Sequence, residues 1–370
     1  MPSICVVGAG VSGLTTAIEL IERGNQVAVL ACGTRQSTTS SAAAAFWYPF
    51  WTGQQPDHSW YRPIWAWDSF LSLERFVDEP DAGVTRCELF EYFDEQMEPE
   101  AVRAVIEGMW WRVMRQTKFA TLSKTQVADK SFGTRRFQSG CRFQTLVVNM
   151  SCYLPYLEKR LVAGGGNIDK QFVEPADMVR LGGQYDFVVN CSGLGARRLV
   201  DDRKLIPVEG VVVRSAPVES VRSVTLLHTG PHFSEQPVYI VPRGGPAPDV
   251  VLGGTLTKVG GVPAPVHFDW SRLSEADPRI RSDVETILGA CHEIEPSLKF
   301  SQPVGVSVGY RPVRLFSGSF GDRTEPVRLE PECSGPLAGK LIHNYGHGGG
   351  GVTLSWGCAR EAIRWIEWLS

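Results

Sequence analysis

An α/β fold, in which a parallel-sheet unit assembled from separated segments is joined to an α+β unit with a mainly antiparallel sheet, is predicted by three features of the sequence. Residues 4–7 are an apolar, β-branched run that leads into Gly8-Ala9-Gly10-Val11-Ser12-Gly13, then a helical stretch and a second apolar run. Between 206 and 270, short apolar runs alternate with Pro and Gly turns, the spacing of an antiparallel sheet. A second glycine-rich segment, 343–353, runs straight into the last helical stretch.

The chain has 370 residues, 43% of them hydrophobic and 21% charged. That is more than one core of roughly 250 to 300 residues holds, so two domains are expected. The 37 basic and 40 acidic residues nearly cancel, which leaves no electrostatic footprint for nucleic acid or an anionic membrane. Nine cysteines stand singly with no C-x-x-C pair, so neither a disulfide framework nor a structural zinc site is read and no metal is expected. No apolar run reaches the length of about 18 residues needed for a membrane span. The apolar N-terminal stretch lacks the preceding Lys or Arg of a secretory signal and is broken by glycines. A cytoplasmic protein is the expectation.

In the first turn the three glycines have separate tasks. Gly8 permits the tight turn, Gly10 lets the backbone approach a pyrophosphate, and Gly13 lets helix 14–23 pack closely on the strand. A helix N-terminus carries partial positive charge, which suits a phosphate. The second strand, 26–30, ends Leu30-Ala31-Cys32-Gly33 without the acidic residue that usually holds an adenosine ribose. The run 34–41 is the candidate to hold it instead. Residues 46–67 are dense in aromatics (Trp47, Tyr48, Trp51, Trp60, Tyr61, Trp65 and Trp67), a cluster that is core more often than binding site. Residues 87–130 are more charged and less periodic, read as peripheral with a helix near 99–107. The amphipathic stretch 154–162 precedes the turn Gly164-Gly165-Gly166, and 187–193 reads as a buried strand ending in a turn at Ser192 and Gly193, a second approach to a ligand. Strands are expected at 211–214, 223–227, 238–241 and 250–252, a helix within 271–294 started by a Ser-x-x-Glu or Asp pattern, a strand at 304–308 and a closing helix at 354–368.

The four consecutive glycines 348–351 present backbone N–H groups without side-chain bulk, so something flat or anionic can lie against them. A reduced flavin, anionic at its N1 and O2 edge, is such a ligand. Two other patterns lead nowhere. Gly305-Val306-Ser307-Val308-Gly309 matches G-x-S-x-G, but Tyr310-Arg311-Pro312 does not begin the helix that a nucleophile elbow requires, so Ser307 is read as a strand residue. His343 and His347 have the spacing of metal ligands, yet the intervening glycine is incompatible with a zinc helix.

Gly8-x-Gly10-x-x-Gly13, Tyr239-Ile240-Val241-Pro242, Gly309-Tyr310-Arg311-Pro312-Val313-Arg314 and the stretch from His343 to Thr353, continued by Trp356-Gly357-Cys358-Ala359, together closely resemble the D-amino-acid oxidase and D-aspartate oxidase family of FAD enzymes. The match runs from the N-terminus to the last helix, is weakest at about 80–135, and is most specific at its C-terminal stretch. The resemblance implies a Rossmann-like FAD-binding domain built from 1–50, 141–205 and 300–370, and a substrate-binding domain built from 51–140 and 206–299. It implies that Arg311 and Tyr239 hold the substrate α-carboxylate and that the carbonyl of Gly349 receives the amine. A guanidinium fork is matched to a carboxylate, and Pro312 biases Arg311 toward an extended backbone. FAD contacts are expected at Gly8, Ala9, Gly10, Val11, Ser12 and Gly13, at Ser40, Ser41, Ser192 and Gly193, and at Gly348, Gly349, Gly350 and Gly351. The backbone of Val352 and the hydroxyl of Thr353 would meet the flavin O2 edge, and Val173 would meet the adenine by its backbone. Tyr48 and Tyr310 are expected to line the substrate pocket. The chain departs from the family at Ser41, where an aspartate is usual, at Tyr48 in Trp47-Tyr48-Pro49, where glutamine is common, and at Glu235, where mammalian D-amino-acid oxidases carry a lid tyrosine, so that 231–237 would form a shorter or differently shaped lid.

The implied reaction is oxidation of a D-amino acid by hydride transfer to flavin N5, giving a 2-oxo acid, ammonia and, on reoxidation by molecular oxygen, hydrogen peroxide. Neutral side chains are expected, given Tyr48, Trp51 and Tyr310. A dicarboxylic substrate would want a further cation, for which Arg243, His228 and His232 are candidates. No nucleic-acid or membrane partner is expected, and a homodimer is a possible assembly. The alternatives are a D-aspartate or D-glutamate oxidase, an oxidase of glycine or secondary amines, and, from another class, a nucleotide-binding protein whose glycine loops hold AMP or NAD without oxidase activity.

Overall fold

The computed structural model describes residues 1–48, 61–94, 115–128, 132, 135–229, 237–261, 263–315 and 327–370, with the backbone alone at 61–63. The helix expected near 99–107, Pro49, Trp51, Trp60, the side chain of Tyr61, and segment 231–236 with His232 and Glu235 lie outside these residues.

Two sheets organise the chain. The first holds β1 (Ser3–Val7), β2 (Gln26–Ala31), β6 (Asn167–Lys170), β7 (Phe187–Asn190) and β15 (Leu341–His343) in the order β15-β7-β1-β2-β6, every neighbour parallel. Its central strand is apolar from Ile4 to Val7 because both of its faces are covered there. Ile4 and Val6 face a core shared with α1 (Val11–Glu22), α3 (Met150–Ala163) and the closing helix α6 (Gly351–Leu369). Cys5 and Val7 face Met178 and Leu181 of α4 (Pro175–Gln184) on the other side. One further helix, α2 (Tyr61–Glu74), lies against α6. Asn149 caps α3 by accepting from the Ser151 N–H at 3.2 Å.

The second sheet is ten-stranded among the described residues and mainly antiparallel. Its strands are β3 (Val84–Phe93), β4 (Ala120–Thr121), β5 (Ser139–Val148), β8 (Leu205–Ser215), β9 (Ser223–His228), β10 (Val238–Arg243), β11 (Asp249–Gly253), β12 (Thr257–Lys258), β13 (Val266–Asp269) and β14 (Pro303–Arg314). They run in the order β13-β14-β8-β11-β10-β9-β3-β5-β4, with β12 beside β8. One face carries α5 (Pro278–Ile294), whose Ile280, Val284, Ile287 and Cys291 meet Val211, Val213, Ile240, Val306 and Val308. The opposite face looks toward the parallel-sheet unit.

Several sequence expectations change here. Residues 141–148 and 303–314, grouped above with the parallel unit, are strands of the second sheet. The region read as peripheral from Cys87 begins inside β3, a ten-residue strand paired with β5 along its whole length. Charged residues at alternate positions, the exposed Arg86 and the half-buried Glu88, hid its period. The helix within 271–294 is capped by Asp277, which accepts from the Arg279 N–H at 2.8 Å; Trp270–Glu275, where the Ser-x-x-Glu or Asp start was expected, is a 3₁₀ turn. None of the described helices is long and apolar enough to cross a membrane.

Candidate active site

The first glycine turn leaves the end of the central strand β1. Gly8 has φ +114°, and a Cβ there would stand 2.4 Å from the Cys191 carbonyl oxygen. At Gly13 a Cβ would stand 1.8 Å from the Gly8 carbonyl oxygen, so turn, helix and strand pack at a separation that only glycine allows. Ser40, from a 3₁₀ turn in the run 34–41, accepts from the Val11 N–H at 3.0 Å and so stands at the N-terminus of α1. The hydroxyl of Ser41 turns the other way, donating to the Thr38 carbonyl at 2.8 Å and meeting His267 Nε2 at 3.0 Å. The side chain of Ser41 therefore departs from the expected cofactor contact. The Ser192 hydroxyl donates to Asn190 Oδ1 at 2.6 Å, fixing the turn that faces Gly8. Val173 is buried, and its carbonyl accepts from Arg198 Nη2 at 3.2 Å.

The second glycine segment follows β15. Its first part is tied to the first turn, the Ser12 hydroxyl donating to the Asn344 carbonyl at 3.3 Å. Its next part is tied to the second sheet, Gly348 N–H donating to the Pro312 carbonyl at 2.9 Å, one residue from Arg311. Gly349 is exposed and Gly350 caps α6. The first N–H groups of a helix have no partner within it and carry partial positive charge. Thr353 accepts from the Tyr48 N–H at 3.1 Å and so joins the segment 46–48 to this helix end. His343 lies in β15 and His347 beyond the turn, so their spacing is not helical. His343 is buried, and that burial, with the charge of Arg328, pushes its pKa down to about 4.

Arg311 and Tyr239 meet on the face of the second sheet that looks toward these loops. The guanidinium lies across β8: Arg311 Nη1 donates to the carbonyls of Glu209 at 3.2 Å and Thr255 at 3.0 Å. A Cβ on Gly210 would stand 2.5 Å from Nη1. Among the described residues no carboxylate pairs with Arg311. The nearest in sequence pairing, Glu209, turns to the opposite face, where both of its oxygens are held by Arg279 at 2.5 and 3.1 Å. The Tyr239 ring lies over Gly253 and Gly254, where a Cβ would stand 2.3 and 2.5 Å away. Burial raises the Tyr239 pKa, opposed by the adjacent Arg311 with which its hydroxyl bonds, so at neutral pH it is a phenol able to donate.

Strand alternation corrects Tyr310. With Arg311 on the site face, its neighbour points the other way. Tyr310 is buried in the cluster beneath α5, with its hydroxyl bonded to Glu209. It does not line the pocket with Arg311. Arg243 is also removed as a cation for a second substrate carboxylate, because it is buried in a two-pronged pair with Asp249, 2.6 and 2.5 Å. His228 is held by Glu91, Nε2 to Oε1 2.7 Å, and stacked on Phe93. Tyr48 stays near the site: its hydroxyl donates to Glu91, and Phe46 packs against both its ring and that of Tyr239. Ser307 is a buried residue of β14, 2.9 Å from His267 Nδ1, as its strand reading requires. The sequence reading missed Gly210, Gly253, Gly254 and Glu91. The signal for Gly210 was a lone glycine inside a strand, which marks close approach.

FAD fits the residues present. The turn at Gly8–Gly13 is a backbone cradle that a Cβ would fill, Ser40 flanks the helix end where a pyrophosphate would sit, and the α6 N-terminus opens beside Thr353 toward the face of Arg311. The family model described as FAD dependent oxidoreductase matches residues 3–365. A D-amino-acid oxidase of Rubrobacter xylanophilus is 35% identical over 360 residues, 96% of this chain and 93% of that protein. A D-amino-acid oxidase of Streptomyces coelicolor is 31% identical over 98% of this chain and 95% of its own length. A human D-aspartate oxidase is 30% identical over 98% of this chain and 94% of its own length. Among solved structures, glycine oxidase from Geobacillus kaustophilus superposes with a TM-score of 0.72 at 19% identity, covering 99% of this chain and 95% of that one. The cradle, the two helix ends and the full-length similarity have one reading: the chain is an FAD-dependent amino-acid oxidase and belongs to the FAD-dependent oxidoreductase family.

Proposed function

We propose that the enzyme oxidises D-amino acids with molecular oxygen and water to 2-oxo acids, ammonia and hydrogen peroxide. The observation that carries this reading is Arg311, a guanidinium locked by two backbone carbonyls, touching Tyr239, and lacking a carboxylate partner among the described residues. Such a group is preorganised for a ligand carboxylate, and a charge-assisted bond contributes roughly 1.5 to 3 kcal/mol. Tyr239 donates a second bond to the same carboxylate. The exposed backbone of Gly349 offers its carbonyl to the amine, which fixes the α-carbon between two anchors on different domains. The α6 N-terminus, with Thr353, favours negative charge on the group bound against it. Bound FAD supplies the two-electron acceptor for the α-hydrogen. No side chain is required as a base when the amine binds neutral. Of the residues that suggested a neutral side chain, Tyr310 lies on the far face and Trp51 outside the described residues.

The reading is tested by peroxide release from the FAD-loaded enzyme with D- and L-amino acids, glycine, sarcosine and D-proline. Turnover confined to D-isomers supports it. Glycine or sarcosine as the better substrate moves the assignment within the flavin class. A yellow enzyme inert toward all of them overturns it.

A further inference from the structure

The proposed reaction gives no role to a buried carboxylate that shares the sheet face of Arg311. Glu91 lies near the end of β3, two residues from Leu89, which packs in the same core as Leu226 and Tyr239. Alternation along the strand places Glu91 on that face. The register sets Glu91 beside Leu226 of β9, and Leu226 beside Tyr239 of β10. Two strand spacings, about 10 Å, thus separate the backbones of Glu91 and Tyr239, and Arg311 on β14 lies beyond Tyr239 on the opposite side.

The chemistry around Glu91 has a definite sign. Oε1 accepts from the Tyr48 hydroxyl and from His228 Nε2; Oε2 has the Cys141 thiol 3.6 Å away. Among the described residues no lysine or arginine pairs with it. A carboxylate only accepts, so the Tyr48 and His228 protons both point toward Glu91, and Tyr48 meets anything else as an acceptor. Burial and the Glu91 charge raise the Tyr48 pKa and keep it a phenol. Tyr48 is also joined to Thr353 at the helix end, which places this cluster between the flavin-side loop and the sheet. The far end of the site thus presents acceptors and a negative charge. A second substrate carboxylate there would be repelled, and a cation would find its counter-charge.

We propose that Glu91 is a specificity-determining residue that directs the enzyme to D-amino acids with cationic side chains, such as D-lysine, D-ornithine and D-arginine, and against D-aspartate and D-glutamate. The proposal rests on the D-amino-acid reading above. An α-carboxylate on Arg311 and Tyr239 then leaves a four-carbon side chain running toward Glu91 and Tyr48.

The test is kcat/KM of the FAD-loaded enzyme for D-lysine, D-arginine, D-alanine and D-glutamate, in the wild type and in Glu91→Gln and Glu91→Asp. The wild type is expected to prefer D-lysine or D-arginine over D-glutamate by at least about tenfold. In Glu91→Gln the D-lysine to D-alanine ratio falls by at least about tenfold, mostly through KM, and in Glu91→Asp the wild-type ranking is retained. Preference for D-glutamate in the wild type, which needs no variant to fold, overturns the inference, as does a ratio unmoved in a FAD-retaining Glu91→Gln. If D-alanine is oxidised but the ranking fails, the inference alone falls; if no D-amino acid is oxidised, the functional reading falls and takes the inference with it.

Discussion

The two sheets build their halves of the site in opposite ways. On the parallel sheet the site is backbone: Gly8, Gly13 and the N-termini of α1 and α6 present N–H groups, and the side chains chiefly keep out of the way. On the antiparallel sheet the proposed site is side chain: Arg311 from β14, Tyr239 from β10 and Glu91 from β3 share one face although 220 positions of sequence separate the last from the first. A backbone site is local and spelled by a few consecutive residues. A side-chain site on a sheet depends on strand order and on which face each residue takes. The first should fail by steric exclusion of the cofactor, the second by loss of one charge with the fold intact.

The largest effect expected is on the backbone side. Gly13→Val would push a Cβ and its methyls into the Gly8 carbonyl, 1.8 Å from the Cβ position, so the purified variant should be colourless at FAD concentrations that saturate the wild type. A yellow Gly13→Val protein would break the contrast. On the side-chain side, Arg311→Leu should keep FAD and lose about 10³-fold in kcat/KM toward D-amino acids, about 4 kcal/mol. Loss of the flavin absorbance in that variant would show that the two halves are not separable.

The parallel sheet also carries a titrating group. His343, in β15, has a folded pKa of about 4 against an ordinary 6.5. It is held neutral in the fold while the unfolded chain takes up a proton, so its contribution is present above pH 6.5 and is lost as pH falls toward 4. At pH 5 it should cost about 2 kcal/mol of stability relative to pH 7. Urea unfolding of wild type and His343→Gln at both pH values should show the smaller acid sensitivity in the variant, and equal slopes would remove His343 as the cause. The smallest effect tests how far the antiparallel half depends on space as well as charge. Gly210→Ala puts a Cβ 2.5 Å from Arg311 Nη1, and the displaced guanidinium should raise KM by about tenfold with a smaller change in kcat. An unchanged KM would show that the arginine has room to shift.

Much of the backbone half was legible in the sequence. The turn from Gly8 to Gly13, the strands β1, β2 and β7 and the glycine segment before α6 are contiguous patterns that short-range sterics determine, whereas the short strands β6 and β15 carry too few apolar residues to be read. Ser40 was placed by resemblance and stands at the helix end. Along the other sheet the strands expected within 211–252 were readable from their apolar runs, but β3 was not, because charged residues interrupt its period at Arg86 and Glu88.

Local conformations and family membership were set by short stretches of chain: glycine φ preferences, apolar periods and consecutive motifs act over a few residues. The tertiary structure alone decided that Tyr310 and Glu209 face α5 while Arg311 faces the loops, that Arg243 is neutralised by Asp249, and that Glu91 shares a face with Tyr239. Those outcomes follow from register, where a shift of one residue inverts every side chain, and register is set by pairings between strands far apart in the chain.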